Sequence, residues 1–144
     1  AVTIHPVYLT PTDTRICQQE SFLVSQDSNS IESFLRTKID ISPRQQNKFT
    51  LQKISGPGTI WLAIAGNLHE QTLEAGEKIQ VLPYHIAMYE ASVNFEINHT
   101  SNVKEMLLSK KTPNYAILTG PGKVWLQTLP ISALATKLNH LKTN

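Results

Sequence analysis

The sequence predicts an all-β fold, two related units packed face to face as a sandwich or clam, followed by a C-terminal helix. Apolar and polar residues alternate over short runs such as Lys78-Ile79-Gln80-Val81 and Val93-Asn94-Phe95-Glu96-Ile97, the period of a half-buried strand. Turn formers punctuate the runs: Pro11-Thr12-Asp13, Ser28-Asn29-Ser30, Gly66-Asn67, Ala75-Gly76-Glu77 and Pro113-Asn114. A repeat completes the case. Ile54–Leu62 (ISGPGTIWL) recurs as Leu118–Leu126 (LTGPGKVWL), 64 positions on and identical at five of nine residues. Gly-Pro-Gly followed by Trp-Leu at one spacing is too specific for coincidence.

In chain order, strands are expected at 4–9, 14–18, 21–26, 35–41, 48–54 and 59–64, then at 78–81, 84–90, 93–97, 115–119 and 123–128. The same offset places Leu9 on Leu73, Cys17 on Val81 and Phe22 on Ile86. After a two-residue slip, Ser30-Ile31-Glu32 falls on Ser92-Val93-Asn94. One domain, 1–144, thus divides into units of about 1–66 and 67–130 plus a helix at 131–141. Each Gly-Pro-Gly is expected to close a hairpin, 48–64 and 115–128, since proline presets φ and the glycine after it accepts positive φ. The motif lacks the Lys-Ser/Thr pair and following helix of a phosphate loop. A short helical stretch is expected at 102–109. In the tail, Pro130 and Ser132 favour a helix start, and Ile131, Leu134, Ala135, Leu138 and Leu141 share one face.

Composition narrows the function classes. A chain of 144 residues with 40% hydrophobic and 17% charged residues is neither disordered nor a charged helix bundle. It is long enough to fold without disulfides or metal. A net charge of +2 advertises no nucleic-acid or anionic-membrane partner. One cysteine, Cys17, excludes a disulfide framework and a Cys-based zinc cluster. No apolar run approaches the ~18 residues of a membrane span. The start, AVTIHPVYLT, lacks the pattern of a signal peptide, and without an initiator Met the chain is expected to be trimmed or cut from something longer.

The segments GPGKVWLQTLP (120–130) and Leu73-Glu74-Ala75-Gly76-Glu77-Lys78-Ile79-Gln80-Val81 resemble the altered-inheritance-of-mitochondria family over about residues 5–135. The resemblance implies a β-clam like that of the tryptophan RNA-binding attenuation protein (TRAP-like, akin to a double-stranded β-helix) acting as a non-enzymatic scaffold. It implies a location in the cytoplasm, or in mitochondria for a eukaryotic source, where a relative is associated with inner-membrane organisation. Members usually carry three β units against the two counted here. That difference implies a unit preceding Ala1 or a short member, with edges left for a partner chain to cover. The family supplies no catalytic residues.

The candidate interaction residues follow from alternation. Ile60, Leu62 and Ile64 share one strand face, leaving Trp61 on the other; Val124 and Leu126 likewise oppose Lys123, Trp125 and Gln127. An indole outside the aliphatic stripe suits a protein interface, or a secondary core if both sheet faces are covered. Leu134 and Leu138 on the tail helix offer a second docking surface. The expected function is a non-catalytic structural module that self-associates or scaffolds a protein partner, with no cofactor, no metal and no catalytic residue. No transmembrane segment is expected, and peripheral membrane association is compatible with it. Two alternatives stay open. A cupin-like metal or small-molecule protein would use His69 and His85, although no two of the five histidines have metal-pair spacing; metal analysis discriminates it. An RNA-binding module would show salt-sensitive oligonucleotide shifts.

Overall fold

The computed structural model describes residues 2–38, 48–98 and 115–130. Twelve strands lie among them: β1 (Val2–Leu9), β2 (Thr14–Gln18), β3 (Phe22–Ser25), β4 (Ser30–Lys38), β5 (Lys48–Ser55), β6 (Gly58–Ala65), β7 (Leu68–Leu73), β8 (Lys78–Val81), β9 (Ile86–Glu90), β10 (Asn94–Asn98), β11 (Tyr115–Thr119) and β12 (Gly122–Gln127). A single 3-10 turn, Pro83–His85, precedes β9. The class is all-β, as the alternation predicts. The tail helix, with Leu134 and Leu138, and the helical stretch at 102–109 lie outside the described residues.

The strands form three antiparallel sheets: a six-stranded sheet ordered β4-β5-β2-β9-β12-β7, and two three-stranded sheets, β1-β6-β3 and β10-β11-β8. Both faces of the six-stranded sheet are covered, because alternate residues of its strands join different cores. Ile16, Leu51, Tyr89 and Val124 enter one core with Ala116 and Leu118 of β11. Cys17, Ile54 and Met88 enter the other with Ile60, Leu62 and Ile64 of β6. The molecule is therefore three sheets deep, with an apolar layer in each gap.

The ladders of the second half copy those of the first at a spacing of 64. Leu9 pairs with Gly58 and Leu73 with Gly122. Thr14 pairs with Ser55 and Lys78 with Thr119. Even the β-bulge recurs: Phe22, Val24 and Ser25 oppose Leu62, Trp61 and Ile60, as Ile86, Met88 and Tyr89 oppose Leu126, Trp125 and Val124. The two-residue slip disappears. Ser30 opposes Ser55 as Asn94 opposes Thr119, so the pairing keeps one offset where the side chains had diverged.

Side-chain hydrogen bonds follow the same spacing. The Thr10 N–H donates to Asp13 Oδ2 at 2.8 Å, and the Glu74 N–H to Glu77 Oε2 at 2.8 Å. The Thr59 N–H donates to Gln26 Oε1 at 2.8 Å, and the Lys123 N–H to Glu90 Oε1 at 2.7 Å. Each satisfies a backbone donor at a strand end that the ladder leaves free. The donated Thr10 N–H, with Arg15 nearby, holds the Asp13 carboxyl below its ordinary value.

The expected Gly-Pro-Gly hairpins are corrected. β5 pairs with β2 and β4 whereas β6 pairs with β1 and β3; β11 and β12 likewise lie in different sheets. The motif is a corner that carries the chain from one sheet to another, with cis Gly56–Pro57 and Gly120–Pro121 bonds. Its first glycine lies against the end of a neighbouring strand: a Cβ on Gly56 would strike the Thr10 carbonyl oxygen, and one on Gly120 that of Glu74. β7 was absent from the sequence expectation. As the edge of its sheet it buries only Leu73, so Leu68–Leu73 carries no apolar alternation to detect.

Candidate functional site

The two tryptophans occupy equivalent strand positions in different surroundings. Trp125 is half-buried and packs against the core containing Cys17, Ile54, Ala87 and Met88. The Arg15 guanidinium lies 5.4 Å from its ring centroid, a cation–π contact. Arg15 is steered there by Asp13 and Glu90, 3.6 and 3.8 Å from one of its terminal nitrogens. This packing and the Arg15 contact make Trp125 part of the joint between the halves.

Trp61 lies on the outer face of β1-β6-β3, the side opposite Ile60, Leu62 and Ile64. Its register partners are Pro6 on β1 and Val24 on β3. On the same face, Ile4 stands opposite Ala63 and Tyr8 opposite Thr59. Ile4 is 58% exposed, Tyr8 76% and Val24 47%, so an apolar stripe surrounds the indole. Contiguous apolar surface of this kind marks contact sites.

The remaining candidates separate from one another. Lys123 is exposed, its ammonium 3.5 Å from Glu70, a surface pair of little energetic weight. Gln127 is buried. Its Oε1 accepts the Ala65 N–H at 3.2 Å, while Nε2 donates to Ser21 Oγ at 3.1 Å and to the Tyr84 carbonyl at 3.0 Å. As an interface candidate Gln127 is therefore corrected to an internal clamp: it shares a strand face with Lys123 and Trp125, and its end of that face is covered by residues of the first half. The sequence reading omitted Val2, Ile4 and Tyr8. Their signal was present in the period-two pattern of β1, opposite Val7 and Leu9, which face the core.

Cys17 is fully buried, and desolvation pushes its thiol up to about 12, which removes thiolate character. His85 Nδ1 donates to the Gln127 carbonyl at 2.8 Å, and His69 stands on edge strand β7, opposite Leu126. No group of three His, Cys, Asp or Glu able to hold a metal occurs among the described residues. An open depression of about 360 Å³ is lined by Gln18, Gln19, Glu20 and Thr50; partial burial raises the Glu20 carboxyl above its ordinary value. No helix among the described residues is long and apolar enough to cross a membrane.

The family model described as mitochondrial biogenesis AIM24 matches residues 1–129. No curated protein matches the sequence. The crystal structure of a Streptococcus pyogenes protein determined as a structural-genomics target is similar at TM-score 0.75 and 16% identity, covering 96% of this chain. At that identity the likeness concerns the fold alone. The chain spans 60% of that protein's length.

Proposed function

The chain belongs to the AIM24 mitochondrial-biogenesis family, and from that premise we propose that it is a non-catalytic structural module acting through contact between protein surfaces, foremost by self-association. The bare apolar face around Trp61 carries this reading. A solvated sheet face normally alternates to polar side chains; here Val2, Ile4, Tyr8 and Val24 stand exposed on the outer face of β1-β6-β3. The tryptophan supplies the broad anchor typical of a binding hot spot, and the aliphatic neighbours would exclude water around it. The inert, buried Cys17 supports a non-catalytic role. Trp125 contributes by holding the joint between the halves. For a eukaryotic source, the family description favours a mitochondrial setting.

The deciding experiment compares Trp61→Ala with the wild type by sedimentation velocity and thermal unfolding. Self-association is expected for the wild type. The substitution is expected to weaken it at least tenfold while shifting the midpoint little, because Trp61 faces away from the core. A monomeric wild type, or an association unaffected by Trp61→Ala, refutes the reading.

A further inference from the structure

We propose that two copies of this chain join edge to edge, β8 of one copy pairing with β3 of the next, to build a second six-stranded sheet like the one inside each chain. The inference rests on the self-association reading and specifies its site and register. The six-stranded sheet is itself a composite: β4-β5-β2 comes from the first half and β9-β12-β7 from the second, and the β2–β9 ladder joins them. Its counterparts at the spacing of 64 are the two three-stranded sheets, β10-β11-β8 matching β4-β5-β2, and β3-β6-β1 matching β9-β12-β7. Among the described residues, β8 pairs only with β11 and β3 only with β6. Within the described residues each therefore presents an open edge where its counterpart is joined.

Exposure supports the same conclusion independently. At the internal joint Ala87 and Met88 are 0% and 1% exposed. Their counterparts on β3, Leu23 and Val24, are 51% and 47% exposed. The next residue beyond β8, Leu82, is also exposed. Trp125 lies against the core of the other half, whereas its counterpart Trp61, also half-buried, stands on an outer face beside the exposed Val24. The surfaces that the internal joint covers are the ones left uncovered at the ends, and they are apolar where the joint is apolar. A second copy is the fitting occupant because it carries the complementary half-sheet with the matching ladder.

The register follows from the internal joint, where Arg15, Ile16 and Cys17 oppose Glu90, Tyr89 and Met88. Transposed, Ile79 of one copy opposes Gln26 of the next, Gln80 opposes Ser25, and Val81 opposes Val24. Ile79 takes the place of Arg15 above the neighbouring copy's Trp61, so an aliphatic contact replaces the cation–π contact. The arrangement is head-to-tail, with different surfaces meeting.

The test uses two single variants of the full chain, Val24→Cys and Val81→Cys. Directly opposed antiparallel residues have Cα separations of roughly 4.5–5.5 Å, within disulfide reach. Mild oxidation of an equimolar mixture is expected to yield a covalent dimer joining the two variants, identified by mass spectrometry of the linked peptides. Buried Cys17 stays unmodified. Val24→Lys, which places a charge on the pairing edge, is expected to weaken association at least tenfold with an unchanged thermal midpoint. Association that persists without the 24–81 crosslink overturns this inference and leaves the self-association reading standing. A monomeric wild type overturns both. Unchanged association of Val24→Lys assigns the β3 edge to another occupant, such as a further β unit of a longer protein, and also overturns it.

Discussion

Gln127 shows how much one buried amide can hold. It reaches the Ala65 N–H, Ser21 and the Tyr84 carbonyl, tying β12 to the first half and to the 3-10 turn. Gln127→Leu strands three polar groups and is expected to cost about 2–4 kcal/mol, measurable by urea unfolding. Glycine positions divide by their surroundings. Gly56→Ala and Gly120→Ala drive a methyl into a backbone carbonyl, and each is expected to cost about 3 kcal/mol or more. Gly76→Ala meets open space and pays only for its φ of +81°, about 1–2 kcal/mol. Buried protons on Cys17, Tyr84 and Tyr89 set the alkaline limit, burial holding the Tyr89 phenol well above its ordinary value. Burial raises Cys17 from 9.0 to about 12 and Tyr84 from 10.0 to about 12. The unfolded chain releases these protons first, so their contribution is intact below pH 9 and is lost progressively as the pH rises toward 12. Denaturation midpoints should fall across that window.

At the scale of elements, the corners and the shared joint matter most. Trp125→Ala removes packing against the core and the seat of the Arg15 guanidinium. It is expected to cost about 2–4 kcal/mol, against a small effect for Trp61→Ala; parallel thermal melts check the contrast. Much of this level was legible in advance. Alternation located β8 and β11 at their observed bounds, 78–81 and 115–119, because each buries one face; β2, buried on both faces, was located at 14–18 by the turn formers that precede it. β7 escaped because an edge strand with one buried residue has no periodic signal. The Gly-Pro-Gly motif was legible as a turn and misread as a hairpin. Local φ preferences specify a change of direction, whereas pairing depends on partners distant in sequence. The candidate site was half legible: alternation placed Trp61 and Trp125 opposite the aliphatic stripe, but only the layering distinguished the indole on the outer face from the one packed against a core.

On the scale of the whole molecule, the six-stranded sheet makes the halves interdependent. Its central β2–β9 ladder and the layers on both of its faces draw on residues from each half. Unfolding should therefore be a single transition. The fluorescence of Trp61 alone, in Trp125→Phe, and of Trp125 alone, in Trp61→Phe, should each coincide with the loss of far-UV signal in the same variant. Separate transitions within either variant would show independent units. The amino-acid sequence by itself determined the all-β class, the 64-residue spacing and the alternating faces of most strands, since turn chemistry and side-chain period are local properties of a chain. It could not determine which strands pair across the halves, which sheet face meets another layer, or which edges stay open. Tertiary structure alone decided those, because the side-chain pattern that suits an indole packed between sheets also suits one on an outer face until a second sheet is packed against it.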